Sequence, residues 1–258
     1  MAEAERPAQN DKFTKMWLKT RERVAKFVKN QITPMLNIQL FTCNPFQEHA
    51  AVAWDEAGAG VIVDPGFYDD AEIEAFTGFV KEKGIRPEAI FLTHCHPDHV
   101  FGVAELCREY GVKVYMSPED KEMPKYAGVI CRLAGMHQPD MDFTAEDIAD
   151  GDRIKVGTAE YEVIATPGHT PGSVCFYNRG DKVLFSGDTL FAGSIGRTDL
   201  PGGDYDKLIV SVMDKVMGLD GDVMVLPGHG PKTDIAHERT HNPFLQPFNE
   251  PDDDYGTE

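Results

Sequence analysis

Apolar and polar positions along this chain change period several times, and the changes mark out its elements. Residues 36–42 alternate with a period of two, 50–54 and 61–63 are short apolar runs, and all three read as strands. Asn44-Pro45 and residues 56–60 serve as turns between them, and Asp64-Pro65-Gly66 stops the third strand sharply. Residues 70–84 place Ile73, Phe76, Phe79 and Val80 on one helical face, with Gly84 as the stop. A strand at 89–92 follows, then a helix over 100–110 closed by Gly111, and a strand at 113–116. Residues 117–149 are Met-rich and mixed, and read as a helix and a loop. Strands are predicted at 154–156, 161–165, 173–177 and 183–186, an amphipathic helix at 204–218, and a last strand at 223–226.

Both halves therefore follow one plan of strands, a covering helix, and a strand running into a histidine turn. The expected fold class is α+β, an αββα four-layer sandwich of two sheets with helices outside. The main domain spans residues 35–249. Residues 1–34 differ: positions 11–30 hold seven Lys/Arg against Asp11 and Glu22, so this stretch carries +5 and the remainder −23. Its apolar residues recur at helical spacing, as in a basic amphipathic extension. Packing on the domain or on a partner subunit, a frayed end and a membrane-surface or targeting helix remain open for it. The tail at 250–258, with five acids in nine residues, reads as disordered.

Composition narrows the function. A net charge of −18 opposes binding to polyphosphate, so nucleic acid is not an expected partner. Five scattered cysteines without a C-x-x-C pair fit a reducing cytoplasm, and no apolar run reaches the roughly 20 residues of a membrane span. A cytoplasmic protein acting on a small molecule is expected; the oligomeric state is left open.

The chemistry lies at strand ends. His94-Cys95-His96-Pro97-Asp98-His99, Thr166-Pro167-Gly168-His169, Ser186-Gly187-Asp188 and Pro227-Gly228-His229-Gly230 each follow an apolar strand with a turn of small residues that carries ligands. Alternate residues of an extended segment face one way, so His94 and His96 can share a metal while Cys95 faces away. Five histidines and two aspartates exceed the needs of one four-coordinate ion. The assignment is His94, His96 and His169 to a first metal, Asp98, His99 and His229 to a second, and Asp188 as the bridge. Asp98 is also the candidate catalytic carboxylate. Two divalent ions about 3.5–4 Å apart activate a shared hydroxide near neutral pH. Zinc is the expected metal, with iron or manganese compatible. His49, His137, His237 and His241 lack this setting and default to surface or core, with His137 a pocket candidate.

These motifs, from Thr93-His94 through His229, resemble the metallo-β-lactamase-fold hydrolases over residues 36–244. Gly187-Asp188-Thr189-Leu190-Phe191-Ala192-Gly193 and the following Gly196-Arg197-Thr198-Asp199 resemble the short glyoxalase II-like hydroxyacylglutathione hydrolases. That resemblance implies thioester or ester hydrolysis by a metal-bridging hydroxide, with Arg197 near an anionic substrate or ordering its loop. The closing residues 238–244 resemble the end of the short forms, which makes Asn242 a substrate-binding candidate. Full-length glyoxalase II proteins add a helical domain that helps to hold glutathione, whereas 29 residues follow His229 here. Persulfide dioxygenases share the fold and the Gly-Arg-Thr-Asp stretch, and by resemblance would hold one iron on His94, His169 and Asp188. A non-catalytic metal-binding protein is the third reading.

Overall fold

The computed structural model describes residues 36–246; the extension at 1–34 and the tail at 250–258 lie outside the described residues. The first sheet holds β1 (Asn37–Cys43), β2 (Glu48–Trp54), β3 (Ala59–Val63), β4 (Arg86–Phe91), β5 (Lys113–Met116) and β6 (Ala145–Asp147), side by side in that order. The first three strands are antiparallel neighbours, and β3 to β6 run parallel. The crossovers between parallel strands are α1 (Asp70–Lys83), α2 (Pro97–Val100) with α3 (Val103–Tyr110), and α4 (Pro124–Ala134).

The second sheet draws on β7 (Arg153–Val156), β8 (Ala159–Ala165), β9 (Val174–Asn178), β10 (Val183–Gly187), β13 (Met224–Pro227) and β14 (Thr233–Asp234), in the order β14-β13-β10-β9-β8-β7. A small hairpin of β11 (Leu190–Phe191) and β12 (Ser194–Ile195) follows β10. Helix α5 (Tyr205–Ser211) leads into β13, and α6 (Ile235–His241) closes the described chain.

Side-chain alternation makes four layers. On β3, Val61 and Val63 face between the sheets while Ile62 faces out; on β4, Ala89 and Phe91 face in while Ile90 faces out. On β10, Val183 and Phe185 face in and Leu184 faces out. The inner faces meet directly, with Phe91 of β4 stacked on Phe176 of β9 at 4.5 Å between ring centroids. Ile62 and Ile90 share one outer core with Phe76 and Val80 of α1 and Leu106 of α3. Leu184 shares the other with Leu208 and Ile209 of α5. The αββα sandwich expected from the sequence is the fold.

Local signals account for most boundaries. Asp69 caps α1 by accepting from the Glu72 amide at 3.0 Å, and Gly84 ends it at φ 66°. The helix expected at 100–110 is broken instead, because the Gly102 amide donates to Pro65 O at 2.8 Å and turns the chain between α2 and α3. The helix expected at 204–218 keeps α geometry only to Ser211 and continues as a π turn over Val212–Val216. Strand β6, read as loop, exists because Met116 and its neighbours offer it an unfilled edge.

Candidate metal centre

Strands β8, β10 and β13 run in one direction, since β9 is antiparallel to both of its neighbours and β13 is parallel to β10. Each delivers a ligand loop at its C-terminal end, placing His169, Asp188 and His229 at the same rim. Strand β4 delivers His94 and His96 from its own end, and α2 carries Asp98 and His99. The sequence reading grouped these seven residues, and the fold brings them together.

Two clusters result. Ligand atoms of His94, His96 and His169 lie within 4.8 Å of one another, as do those of Asp98, His99 and His229. In the first, His169 Nε2 is 2.8 Å from His96 Nδ1 and 3.2 Å from His94 Nε2. In the second, Asp98 Oδ2 is 3.2 Å from His229 Nε2 and 3.8 Å from His99 Nε2. Asp188 touches both: its Oδ2 is 3.4 Å from His169 Nε2, and its Oδ1 is 3.4 Å from His99 Nε2.

Outer partners set the direction of each ring. Nδ1 of His94 meets Thr93 Oγ1 at 3.1 Å, and Nδ1 of His99 meets Asp64 Oδ2 at 3.0 Å. Nδ1 of His169 meets Arg197 O at 2.7 Å, and Nδ1 of His229 meets Phe46 O at 3.1 Å. With those nitrogens occupied, Nε2 of all four faces the centre, as metal-binding imidazoles require. Three polar atoms of the ligand residues, His96 Nε2, His99 Nε2 and Asp188 Oδ1, are buried without a hydrogen-bond partner. Such orphans are costly unless something else satisfies them, so this donor set of nitrogen and carboxylate oxygen fits a divalent cation.

The electrostatics of the clusters differ. Burial, reinforced by His99 and His169, holds the His94 ring well below the usual imidazole range. Burial and then His169 hold His96 at about 3. Burial also opposes charge on His99, but Asp188 and Asp98 outweigh it and hold that ring well above the usual range. His229 is raised too, against burial, by its bond to Asp98 and by Asp188. Both carboxylates are lowered against burial, chiefly by His99. His94 and His96 of the first cluster are thus neutral imidazoles, whereas His99 and His229 of the second retain protons in an ion-pair network.

Three supporting residues escaped the sequence reading. Asp64 follows β3 and, through the Val63–Phe91 register, sits beside Thr93. Its Oδ1 accepts the Thr93 amide at 2.7 Å, and its Oδ2 accepts Thr93 Oγ1 at 2.5 Å and faces His99. Asp64 also lies within ligand range of His94 and His99, yet with both oxygens taken it positions rather than ligates. The available signal was its place ahead of Pro65-Gly66, read only as a strand stop. Asp120 clamps the loops from behind, accepting the Cys95 amide at 2.9 Å, Thr170 Oγ1 at 2.9 Å and the Gly172 amide at 2.6 Å. Glu48 is fully buried, with Oε1 3.8 Å from His99 Nδ1. Nothing local in sequence marks either residue.

The clusters open onto a cavity of about 620 Å³ lined by His96, Asp98, His169, Asp188, His229 and Arg197 among others. Arg197 makes a bidentate pair with Asp199 at 2.7 and 2.8 Å. Asn242 does not line the cavity. It is buried, and its Nδ2 donates to Ser194 O at 3.0 Å and Glu238 Oε2 at 2.8 Å, bracing the β11–β12 hairpin from behind. Its expected contact with substrate gives way to that supporting position, because the end of a short helix can face either way. His137 likewise stays outside the cavity, stacked on Tyr68 at 4.1 Å. Cys95 faces the outer core as expected, and burial with Asp120 and Asp64 pushes its thiol up to about 12.

Two sheets between helices, with a nitrogen-and-carboxylate centre at the ends of their strands, define a metal-binding domain of the metallo-hydrolase class. The chain belongs to the Metallo-beta-lactamase superfamily, whose family model matches residues 43–229. It is 35% identical over 214 residues to the hydroxyacylglutathione hydrolase GloC of Haemophilus influenzae, across 81% of this chain and 98% of that protein. Among solved structures, the BLEG-1 B3 metallo-beta-lactamase superposes with a TM-score of 0.75 at 37% identity, covering 81% of this chain and 99% of the other. TTHA1623 in a di-iron-bound form gives 0.72 at 37% identity, covering 80% and 100%. Among the described residues, no helix is long and apolar enough to cross a membrane.

Proposed function

We propose that the protein hydrolyses small thioesters or esters in the manner of glyoxalase II, with two divalent cations held at this centre. His94, His96 and His169 hold the first, Asp98, His99 and His229 the second, and Asp188 joins them. The observation that carries this reading is the reach of Asp188 to His169 and His99 at 3.4 Å each. Zinc suits imidazole and carboxylate donors, and iron or manganese are compatible. When bound, such ions supply Lewis acidity and a water-derived nucleophile at neutral pH.

The chain's own residues do the rest. Thr93, Asp64 and the Arg197 and Phe46 carbonyls hold the imidazoles in one tautomer. Asp98, on the cavity wall, orients the attacking water and takes its proton. Water adds to the scissile carbonyl, the C–S or C–O bond breaks, and the proton passes to the leaving thiolate or alkoxide. Phe191, Ile195 and Leu200 on the cavity wall limit access of bulk water.

Metal content measured alongside a thioester and persulfide panel tests the proposal. About two ions per chain with oxygen-independent thioester or ester cleavage supports it. A single iron with oxygen uptake on glutathione persulfide would replace it with a dioxygenase, and turnover of nothing but β-lactams would replace it with a lactamase.

A further inference from the structure

The walls of the cavity are mostly apolar. Helix α4 turns Ile130, Leu133 and Ala134 towards it, and Leu133 is 85% exposed. A lone exposed leucine is ordinary, but this one continues a wall that begins at the metal ligands. Phe191 and Ile195 of the β11–β12 hairpin also line the cavity, with Phe46 and Leu200. Apart from the histidines, Arg197 is the single cation among the described residues of the lining, and Asp199 already takes the Nε–Nη2 edge of its guanidinium. A carboxylate-bearing thiol such as glutathione would meet at Arg197 a charge that Asp199 already offsets, on a protein of net charge −18.

We propose that the site selects esters or thioesters whose acyl group is an uncharged hydrocarbon chain, and gives no advantage to a thiol that carries carboxylates. This rests on the hydrolase reading above. The acyl chain lies along Ile130 and Leu133 of α4 and against Phe191 and Ile195, while the carbonyl faces Asp98 and Asp188. Each methylene moved from water onto such a wall raises kcat/KM by roughly two- to fourfold.

The test uses the full, metal-loaded chain and N-acetylcysteamine thioesters from acetyl to hexanoyl, each rate divided by that of its uncatalysed hydrolysis. The expected result is a steady rise in kcat/KM with chain length. Leu133→Asp lowers the hexanoyl-to-acetyl ratio about tenfold, whereas Val129→Asp, exposed on the same helix but outside the cavity lining, leaves the ratio unchanged. Circular dichroism and metal content confirm that both variants fold and load. The glutathione thioester of the same acyl group is turned over no better than the N-acetylcysteamine one. A flat acyl series, an equal effect of both variants, or a tenfold preference for the glutathione thioester that Arg197→Gln removes would overturn the proposal while leaving the hydrolase intact. Failure of the loaded protein to cleave any member of either series sinks the hydrolase reading and the proposal together.

Discussion

Asp64 Oδ2 sits 3.0 Å from His99 Nδ1, so a carboxylate outside the lining of the metal-centre cavity sets the direction of a ring at the centre of the site. Asp64 occupies left-handed backbone at φ 46°, a conformation that Asn also tolerates. Asp64→Asn therefore removes the charge without backbone strain, and puts an amide donor where Thr93 and His99 now direct theirs. The expected outcome is a second cation bound about 10–100-fold more weakly, read by competition with a chromophoric chelator, with the first cation little affected.

His96→Ala removes one of three nitrogens from the first cluster. One equivalent of metal and the hydrolytic activity should be lost together. A variant that keeps its full metal complement and full activity would contradict the ligand assignment.

Proton release should distinguish the two cations. Burial keeps His94 and His96 neutral, the latter down to about 3, so the first metal displaces no proton from them between about pH 6 and 8. His99 and His229 are raised, so they stay protonated to higher pH and must lose protons before ligating. Affinity at the second cluster should rise with pH across this window more steeply than at the first. Calorimetric titration in buffers of different ionisation enthalpy reads the protons directly; equal release in both steps would refute the contrast.

The small residue beside His229 has a steric reason. A Cβ on Gly228 would stand 2.5 Å from Asp188 Oδ1 and 2.7 Å from His99 Cε1. Gly228→Ala should displace both ligands, cost about 1–3 kcal/mol in denaturant unfolding, and lower metal content at the second cluster. A fully loaded, fully active Gly228→Ala protein would show that the turn has more room than this.

Cys95 lies between two ligands yet faces the core. Cys95→Ser should leave hydrolysis near the parental rate, at a stability cost of about 1–2 kcal/mol for placing a hydroxyl among apolar neighbours. The thiol, held near 12, should also resist alkylation at neutral pH until the protein unfolds. Loss of activity with metal retained would show a role in the chemistry.

The sequence by itself determined the parts that depend on near neighbours. Short apolar runs bounded by turn residues located β3, β4 and β10, because strand and turn signals are local. Alternation along an extended segment separated His94 and His96 from Cys95, and the turns after β8, β10 and β13 marked His169, Asp188 and His229. Only the tertiary structure decided what supports those ligands and what surrounds the substrate. Asp64 meets Thr93 through the parallel register of β3 with β4, Asp120 meets Cys95 across 25 residues, and Asn242 turned inward to brace the hairpin. Each outcome is a contact between segments distant in the chain, set by lateral pairing and packing, and no local periodicity encodes the partner. The apolar wall of α4 belongs here too: Leu133 reads as an ordinary helix residue until the fold sets it beside the metal centre.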